Sequence, residues 1–216
     1  MTPRIVILSA GASSRLGQPK ALATLGGRAV LDWMLSAARQ ALPNGGPALL
    51  ITGAHHPEIS AYLEQGAAQH ASPLAPEVVR SVRWRDGRTA GVQVAATMNP
   101  GVDLMIWPAD VPLVAGSSLG ALLQEWDRMG QPARGWLAPT LKEALDTGSK
   151  ARFGHPVTLG AELASEVHGL APDAPLRALR AKASPLASLV VDDAAIVDDL
   201  DTPLDLERLR RRIEQR

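Results

Sequence analysis

The sequence predicts an α/β protein built as a three-layer, doubly wound, mostly parallel sheet with crossover helices. Short apolar runs alternate with segments of helical periodicity from one end of the chain to the other. The first run, Ile5-Val6-Ile7-Leu8, is apolar at every position, as a strand buried on both faces must be, and it breaks directly into a turn of small residues. No internal repeat and no linker-like stretch divides the 216 residues, so one domain over 1–216 is expected.

The elements follow in order. After the first strand and its loop, Val30, Leu31, Met34, Leu35, Ala38 and Leu42 recur at helical spacing, and Asn44-Gly45-Gly46-Pro47 stops that helix. Residues 48–52 read as a second strand, 57–65 as a short helix and 78–84 as a third strand. A turn at Arg85-Asp86-Gly87-Arg88 leads into a helix near 91–98. Residues 104–107 read as the fourth strand, ending in Pro108-Ala109-Asp110. Ser117 is expected to cap the next helix, which carries Leu119, Leu122, Leu123, Trp126 and Met129 on one face. Residues 130–154, rich in Gly, Pro and Lys, read as a short strand at 136–138 and then a long loop of the kind that serves as a lid or binding segment. The chain closes with Leu189-Val190-Val191, Ala195-Ile196-Val197 and a helix from Pro203, whose last charges read as a solvated face.

Composition narrows the function classes. With 46% hydrophobic residues the chain can bury a substantial core, and its net charge of zero offers no electrostatic attraction to nucleic acid or an acidic membrane. Cysteine is absent, which excludes disulfides and thiolate metal sites. No apolar run approaches the ~18 residues needed to cross a bilayer. The first strand begins by about Ile5, which leaves no room for a signal peptide. A soluble, cytoplasmic protein is expected.

The segment Ser9-Ala10-Gly11-Ala12-Ser13-Ser14-Arg15-Leu16-Gly17-Gln18-Pro19-Lys20 carries the densest chemistry. Glycine and small side chains let backbone N–H groups approach a phosphate, and a nest of such amides cradles an anion. Arg15 adds a planar fork of donors and Lys20 a point charge, the pairing that a polyphosphate needs. The spacing is neither that of a Walker A loop, G-x-x-x-x-G-K-[ST], nor that of the dinucleotide fingerprint G-x-G-x-x-G. An ordinary strand-to-helix turn with incidental charges is the plainer alternative. Carboxylates that could hold Mg²⁺ occur in two places. Asp110 ends a buried strand, where α/β sheets place their ligands, and Pro108 and Pro112 stiffen its backbone, although a turn or cap Asp has the same appearance. Alternation would send Asp199 and Asp201 to one side, whereas Thr202 and Pro203 equally suit the start of a helix. Asp192, Asp193 and Asp198 read as solvated turn carboxylates. The adjacent His55 and His56 point apart on an extended chain and make a poor chelate, so a polar loop is expected after Gly53.

The first loop resembles the signature L-A-[AG]-G-x-S-x-R-x-G-x-x-K of the molybdopterin-type nucleotidyltransferases, with Ser9 in place of the usual Ala. Asp110-Val111-Pro112-Leu113 resembles the family's D-x-P-L, Gly154-His155-Pro156 the G-H-P of its cytidylyltransferase branch, and Asp199-Leu200-Asp201-Thr202-Pro203-Leu204-Asp205-Leu206 its D-[IL]-D-T-P-x-D-L, which ends a strand and opens the last helix. The resemblance implies a nucleotide-diphospho-sugar-transferase-like, Rossmann-like fold. It also implies Mg²⁺-dependent joining of an NTP to a phosphorylated acceptor, with release of pyrophosphate. Arg15, Lys20 and Asp110 would be catalytic, and Asp110 and Asp201 would ligate the metal. The nucleotide or acceptor would meet Ser9, Ala10, Gly11, Ala12, Ser13, Ser14, Arg15, Gly17, Lys20, Gly53, Thr89, Asp110 and His155. Where relatives carry Ser-Ser or Ser-Leu this chain has Thr89-Ala90, whose hydroxyl is still expected to reach the nucleotide. Ala10 matches the form associated with CTP rather than GTP, and a molybdopterin-like acceptor is favoured over a sugar phosphate. A molybdoenzyme or its chaperone is the implied protein partner, and the alternative from another class is a non-catalytic nucleotide-binding factor that matures or delivers a molybdenum cofactor.

Overall fold

The computed structural model describes residues 1–42, 46, 48–69, 75–141 and 153–214. The expected helix stop at Asn44, Gly45 and Pro47, and residues 142–152 of the expected long loop, lie outside the described residues. In chain order the main elements are β1 (Arg4–Ser9), β2 (Thr24–Leu25), β3 (Arg28–Ala29), α1 (Val30–Ala41), β4 (Leu49–Thr52), α2 (His56–Gln69), β5 (Glu77–Arg80), α3 (Arg88–Met98), β6 (Leu104–Pro108), α4 (Gly116–Arg128), β7 (Trp136–Leu141), β8 (Val157–Leu159), α5 (Ala161–Ser165), β9 (Leu186–Val191) and α6 (Pro203–Glu214).

Seven strands form one sheet in the order β5-β4-β1-β6-β8-β7-β9. All pair in parallel except β8, which is antiparallel to both β6 and β7. The continuous apolar runs follow from burial on both faces. Ile5, Ile7, Met105 and Trp107 pack with Leu31 and Met34 of α1 and Leu119 and Leu122 of α4. Val6, Leu104 and Ile106 pack instead with Val92 and Ala95 of α3 and Leu163 of α5. Side-chain direction alternates along each strand, so one strand feeds both cores, and each fully buried Val, Leu or Ile contributes about 1.5–3 kcal/mol.

The winding locates the crevice. β4 and β5 are laid down outward from β1 on one side, and α3 then carries the chain back to β6 on the other. The connections after β1 and β6 therefore diverge, which opens a cleft at the carboxyl ends of those two strands.

Several local expectations are corrected. The third strand stops at Arg80, because residues 84–86 form a 3₁₀ turn that delivers the chain to α3, which starts at Arg88 rather than near Gly91. Ser117 caps nothing: Asp193 Oδ2 accepts both the Ala115 N–H and the Ser118 hydroxyl at 2.9 Å, so an aspartate expected to be solvated closes the start of α4 from across the fold. Residues 194–197 are a 3₁₀ turn. The hairpin β2–β3 had a readable sign, since Gly26 and Gly27 adopt φ of 54° and 77°, the paired positive φ of a two-residue hairpin turn. No helix among the described residues is long and apolar enough to cross a membrane.

Candidate active site

Backbone hydrogen bonds assemble the cleft before any functional side chain is considered. The Ala109 N–H donates to Leu8 O at 2.9 Å, which extends the β1–β6 pairing to the residue before Asp110. The Leu200 N–H donates to Asp110 O at 2.6 Å and brings the Asp201 segment beside it. The Ala54 N–H donates to Ala10 O at 3.0 Å and ties the end of β4 to the first loop. These bonds draw segments distant in sequence around a cleft of about 260 Å³, lined by Ser9, Ala10, Gly11, Ala12, Ser13, Ser14, Arg15, Lys20, Arg88, Asp110 and Asp201 among others.

The loop itself is fixed from within. Ser13, at φ 52°, accepts N–H bonds from Leu16 and Gly17 at its carbonyl, and Gly17 takes the positive φ of 75° that a side chain would resist. Leu16 is buried and pins the turn to the core, leaving Gly11, Ala12, Ser14 and Arg15 exposed toward solvent. His55 Nε2 lies 3.0 Å from Ala12 O and His56 Nδ1 lies 2.8 Å from Thr52 Oγ1, so the two histidines serve separate structural partners instead of forming a loose polar loop.

Opposite charges meet across this loop. Asp201 receives Lys20 Nζ at 2.5 Å on one oxygen and Arg15 at 2.8 Å on the other. Burial pushes the Asp201 carboxyl up, but the hydrogen bond from Lys20 and the fields of Lys20, Arg15 and Arg88 outweigh it and hold the group below its ordinary value. Thr202 and Asp205 form a reciprocal cap at the start of α6: Thr202 Oγ1 accepts the Asp205 N–H at 3.2 Å, and Asp205 Oδ2 accepts N–H bonds from Asp201 and Thr202. Residues 198–202 are irregular rather than the end of a strand; Asp199 lines a neighbouring cleft together with Asp201 and Arg15, but not the cleft that holds Asp110.

Asp110 faces the loop from the other wall. Its Oδ2 lies 3.5 Å from Arg88, and its Oδ1 is buried with no hydrogen-bond partner among the described residues. Arg88, at the first position of α3, was not singled out in the sequence, where it reads as an ordinary turn charge. Beyond Asp110, the largely buried His155 is held below its ordinary value by burial, with Asp110 opposing that shift and Arg88 and Arg180 adding to it. His155 Nδ1 and Arg180 Nε are also buried without partners among the described residues. The Arg180 guanidinium lies 4.4 Å from the Phe153 ring centroid and 5.1 Å from that of Trp136. It too was missed, because nothing local distinguishes it from other arginines.

Two residues expected at the nucleotide, and one glycine beside His155, have roles in packing. Thr89 is buried, and it donates its hydroxyl to Ala174 O at 2.6 Å and its N–H to Pro172 O at 3.0 Å, so the hydroxyl expected to reach the nucleotide is committed to the fold. Gly53 is required by packing: a Cβ there would stand 2.3 Å from Ala10 O and 2.6 Å from Trp84 Cβ. Gly154 is likewise required by packing, since a Cβ there would stand 2.6 Å from Ile196 O.

Among the described residues no group of three or more metal-binding side chains occurs. The buried, unpartnered Asp110 Oδ1, with the Asp201 carboxylate lining the same cleft, fits a hard cation that takes most of its oxygens from phosphate and water.

Comparison with known proteins gives a family and a shared fold. Residues 5–187 match the family described as MobA-like NTP transferase domain. The bifunctional protein GlmU of Nocardia farcinica (strain IFM 10152) is 34% identical over 127 residues, 56% of this chain and 24% of that protein. The chain therefore spans about a quarter of that relative's length. Rv0371c from Mycobacterium tuberculosis H37Rv is 25% identical with a TM-score of 0.73, over 98% of this chain and 99% of that one. The manganese complex of Rv0371c aligns at 23% identity and TM-score 0.69 with the same coverage. Molybdopterin-guanine dinucleotide biosynthesis protein A from Archaeoglobus fulgidus is 16% identical with a TM-score of 0.70, over 99% of this chain and 100% of that one. The fold is shared across the whole length of these structures.

Proposed function

The chain belongs to the MobA-like NTP transferase domain family and is a nucleotidyltransferase, and from that premise we propose that it transfers CMP from CTP to a phosphorylated acceptor, with molybdopterin the favoured acceptor and Mg²⁺ the metal. One observation carries the reading: Ser9 to Arg15, Lys20, Asp110 and Asp201 line a single cleft at the carboxyl ends of β1 and β6.

The loop amides, Arg15 and Lys20 bind the triphosphate and align its α-phosphorus. Held by Asp110, with Asp201 as second carboxylate, Mg²⁺ would neutralise charge that develops as pyrophosphate leaves. An oxygen of the acceptor phosphate forms the new bond to the α-phosphorus. The bond from that phosphorus to the bridging oxygen breaks, and its electron pair departs with pyrophosphate. A phosphomonoester is already ionised at neutral pH, so no general base is required, and none is assigned. His155 and Arg180 suit an anionic acceptor that fills their unpartnered polar atoms. Ala10 in the loop supports CTP over GTP, a discrimination worth about 1–3 kcal/mol at most. A molybdoenzyme or its chaperone would receive the product.

The test is pyrophosphate release with Mg²⁺, molybdopterin and each NTP in turn. The reading expects CTP to be preferred. A clear preference for GTP overturns the cytidylyl assignment, and release with a sugar phosphate but not molybdopterin overturns the acceptor.

A further inference from the structure

Both cations that the proposed function assigns to the triphosphate are paired with one carboxylate. Asp201 accepts Lys20 on one oxygen and Arg15 on the other, so the carboxylate occupies the position between them that a phosphate would hold. Its backbone cannot give way easily. The Asp201 N–H is held by Asp205 within the cap of α6, and the neighbouring Leu200 N–H is held by Asp110 O. Lys20 is also constrained, since its side chain is 15% exposed and its N–H lies 3.3 Å from Ser13 Oγ.

We infer that Asp201 acts as an internal stand-in for phosphate and makes the site selective for metal-bound over metal-free triphosphate. The inference rests on the proposed function and deepens it. A metal-free polyphosphate must pull Lys20 and Arg15 away from Asp201 and leave a half-buried carboxylate beside a highly charged anion. That juxtaposition of like charges opposes binding. Asp201 turned toward a divalent cation finds a new partner, and Lys20 and Arg15 pass to the phosphates with every charge still compensated. The backbone around residue 201 is clamped, so the exchange is assigned to side-chain rotation. It suits chemistry in which a nucleotide bound without its metal would occupy the cleft unproductively.

The opposite role is a buttress: Asp201 would hold Lys20 and Arg15 ready for phosphate, and its loss would weaken polyphosphate binding under all conditions. The two roles predict opposite signs in one experiment. Inorganic tripolyphosphate is titrated calorimetrically into the full chain in EDTA and again in excess Mg²⁺, using wild type, Asp201→Asn and Asp201→Ser, with a thermal melt of each to establish that it is folded. Without metal, both variants are expected to bind tripolyphosphate about tenfold or more tighter than wild type, equivalent to about 1.4 kcal/mol, and their gain from Mg²⁺ is expected to shrink. Unchanged or weaker metal-free binding in a folded variant overturns the inference while leaving the proposed function standing. Wild type that fails to bind tripolyphosphate with Mg²⁺ overturns both.

Discussion

The two walls of the cleft are finished to different degrees. On the triphosphate wall the charges are paired internally: Lys20 and Arg15 both hold Asp201, and His55 anchors the loop at Ala12 O. On the facing side, Asp110 Oδ1 borders the cleft, and His155 Nδ1 and Arg180 Nε, which do not line it, are likewise buried without partners among the described residues. A buried polar atom without a hydrogen bond costs stability, so the second wall holds unfavourable free energy that a polar ligand or a cation would relieve. The contrast teaches a division of labour. On the proposed reading, one wall exchanges its own counter-ion for phosphate, and the other is completed by what binds.

The largest effect expected is at the point where the walls meet. Asp110→Ala should lower the rate of pyrophosphate release about a thousandfold, read under saturating CTP and Mg²⁺, since it removes the carboxylate best placed to hold the metal. Next comes the triphosphate wall alone: Lys20→Met should weaken CTP binding about 10- to 100-fold by calorimetry, with little change in acceptor KM. Its mirror on the other wall is Arg180→Met, which should raise acceptor KM about tenfold and leave CTP affinity unchanged. Equal effects on both ligands would erase the division.

Each wall also rests on one glycine. Gly53→Ala drives a Cβ into Ala10 O beneath the phosphate loop, and Gly154→Ala drives one into Ile196 O beside His155. Each should cost about 1–3 kcal/mol in denaturant unfolding, with the surviving activity impaired toward CTP in the first and toward the acceptor in the second. The smallest effect is a pH dependence. Burial lowers the His155 value from an ordinary 6.5, so the folded protein takes up its proton less readily than the unfolded chain. That penalty is absent above 6.5 and grows as pH falls toward the lowered folded value. The melting temperature of wild type should therefore fall relative to His155→Asn as the solution is acidified below 6.5, and the two should run parallel above it.

How far each wall could be read from sequence differs for the same physical reason. The triphosphate loop is a contiguous segment whose strand, small residues and two cations announce themselves by local chemistry, and the cap of α6 is written in Thr202, Pro203 and Asp205. The parallel core was legible in Ile5-Val6-Ile7 and Met105-Ile106-Trp107, because burial on both faces demands unbroken apolar runs. The bond between Lys20 and Asp201 spans 181 positions and exists only through the sheet's winding. Arg88 acquires meaning only once α3 aims its first turn at Asp110, and Arg180 only once Trp136 and Phe153 enclose it. β8 is three residues long and antiparallel among parallel neighbours, too short for periodicity to reveal. Thr89 misled because a hydroxyl at a helix start has the same appearance whether it faces a ligand or the Ala174 carbonyl.

On the proposed reading, Asp110 and the loop that carries Arg15 and Lys20 close on one metal-bound triphosphate. Calorimetric titration of CTP with and without Mg²⁺, into wild type and Asp110→Ala, tests it most directly. The account predicts tight, metal-dependent binding to wild type, and binding to Asp110→Ala that Mg²⁺ no longer strengthens. The same metal dependence in both proteins would contradict it.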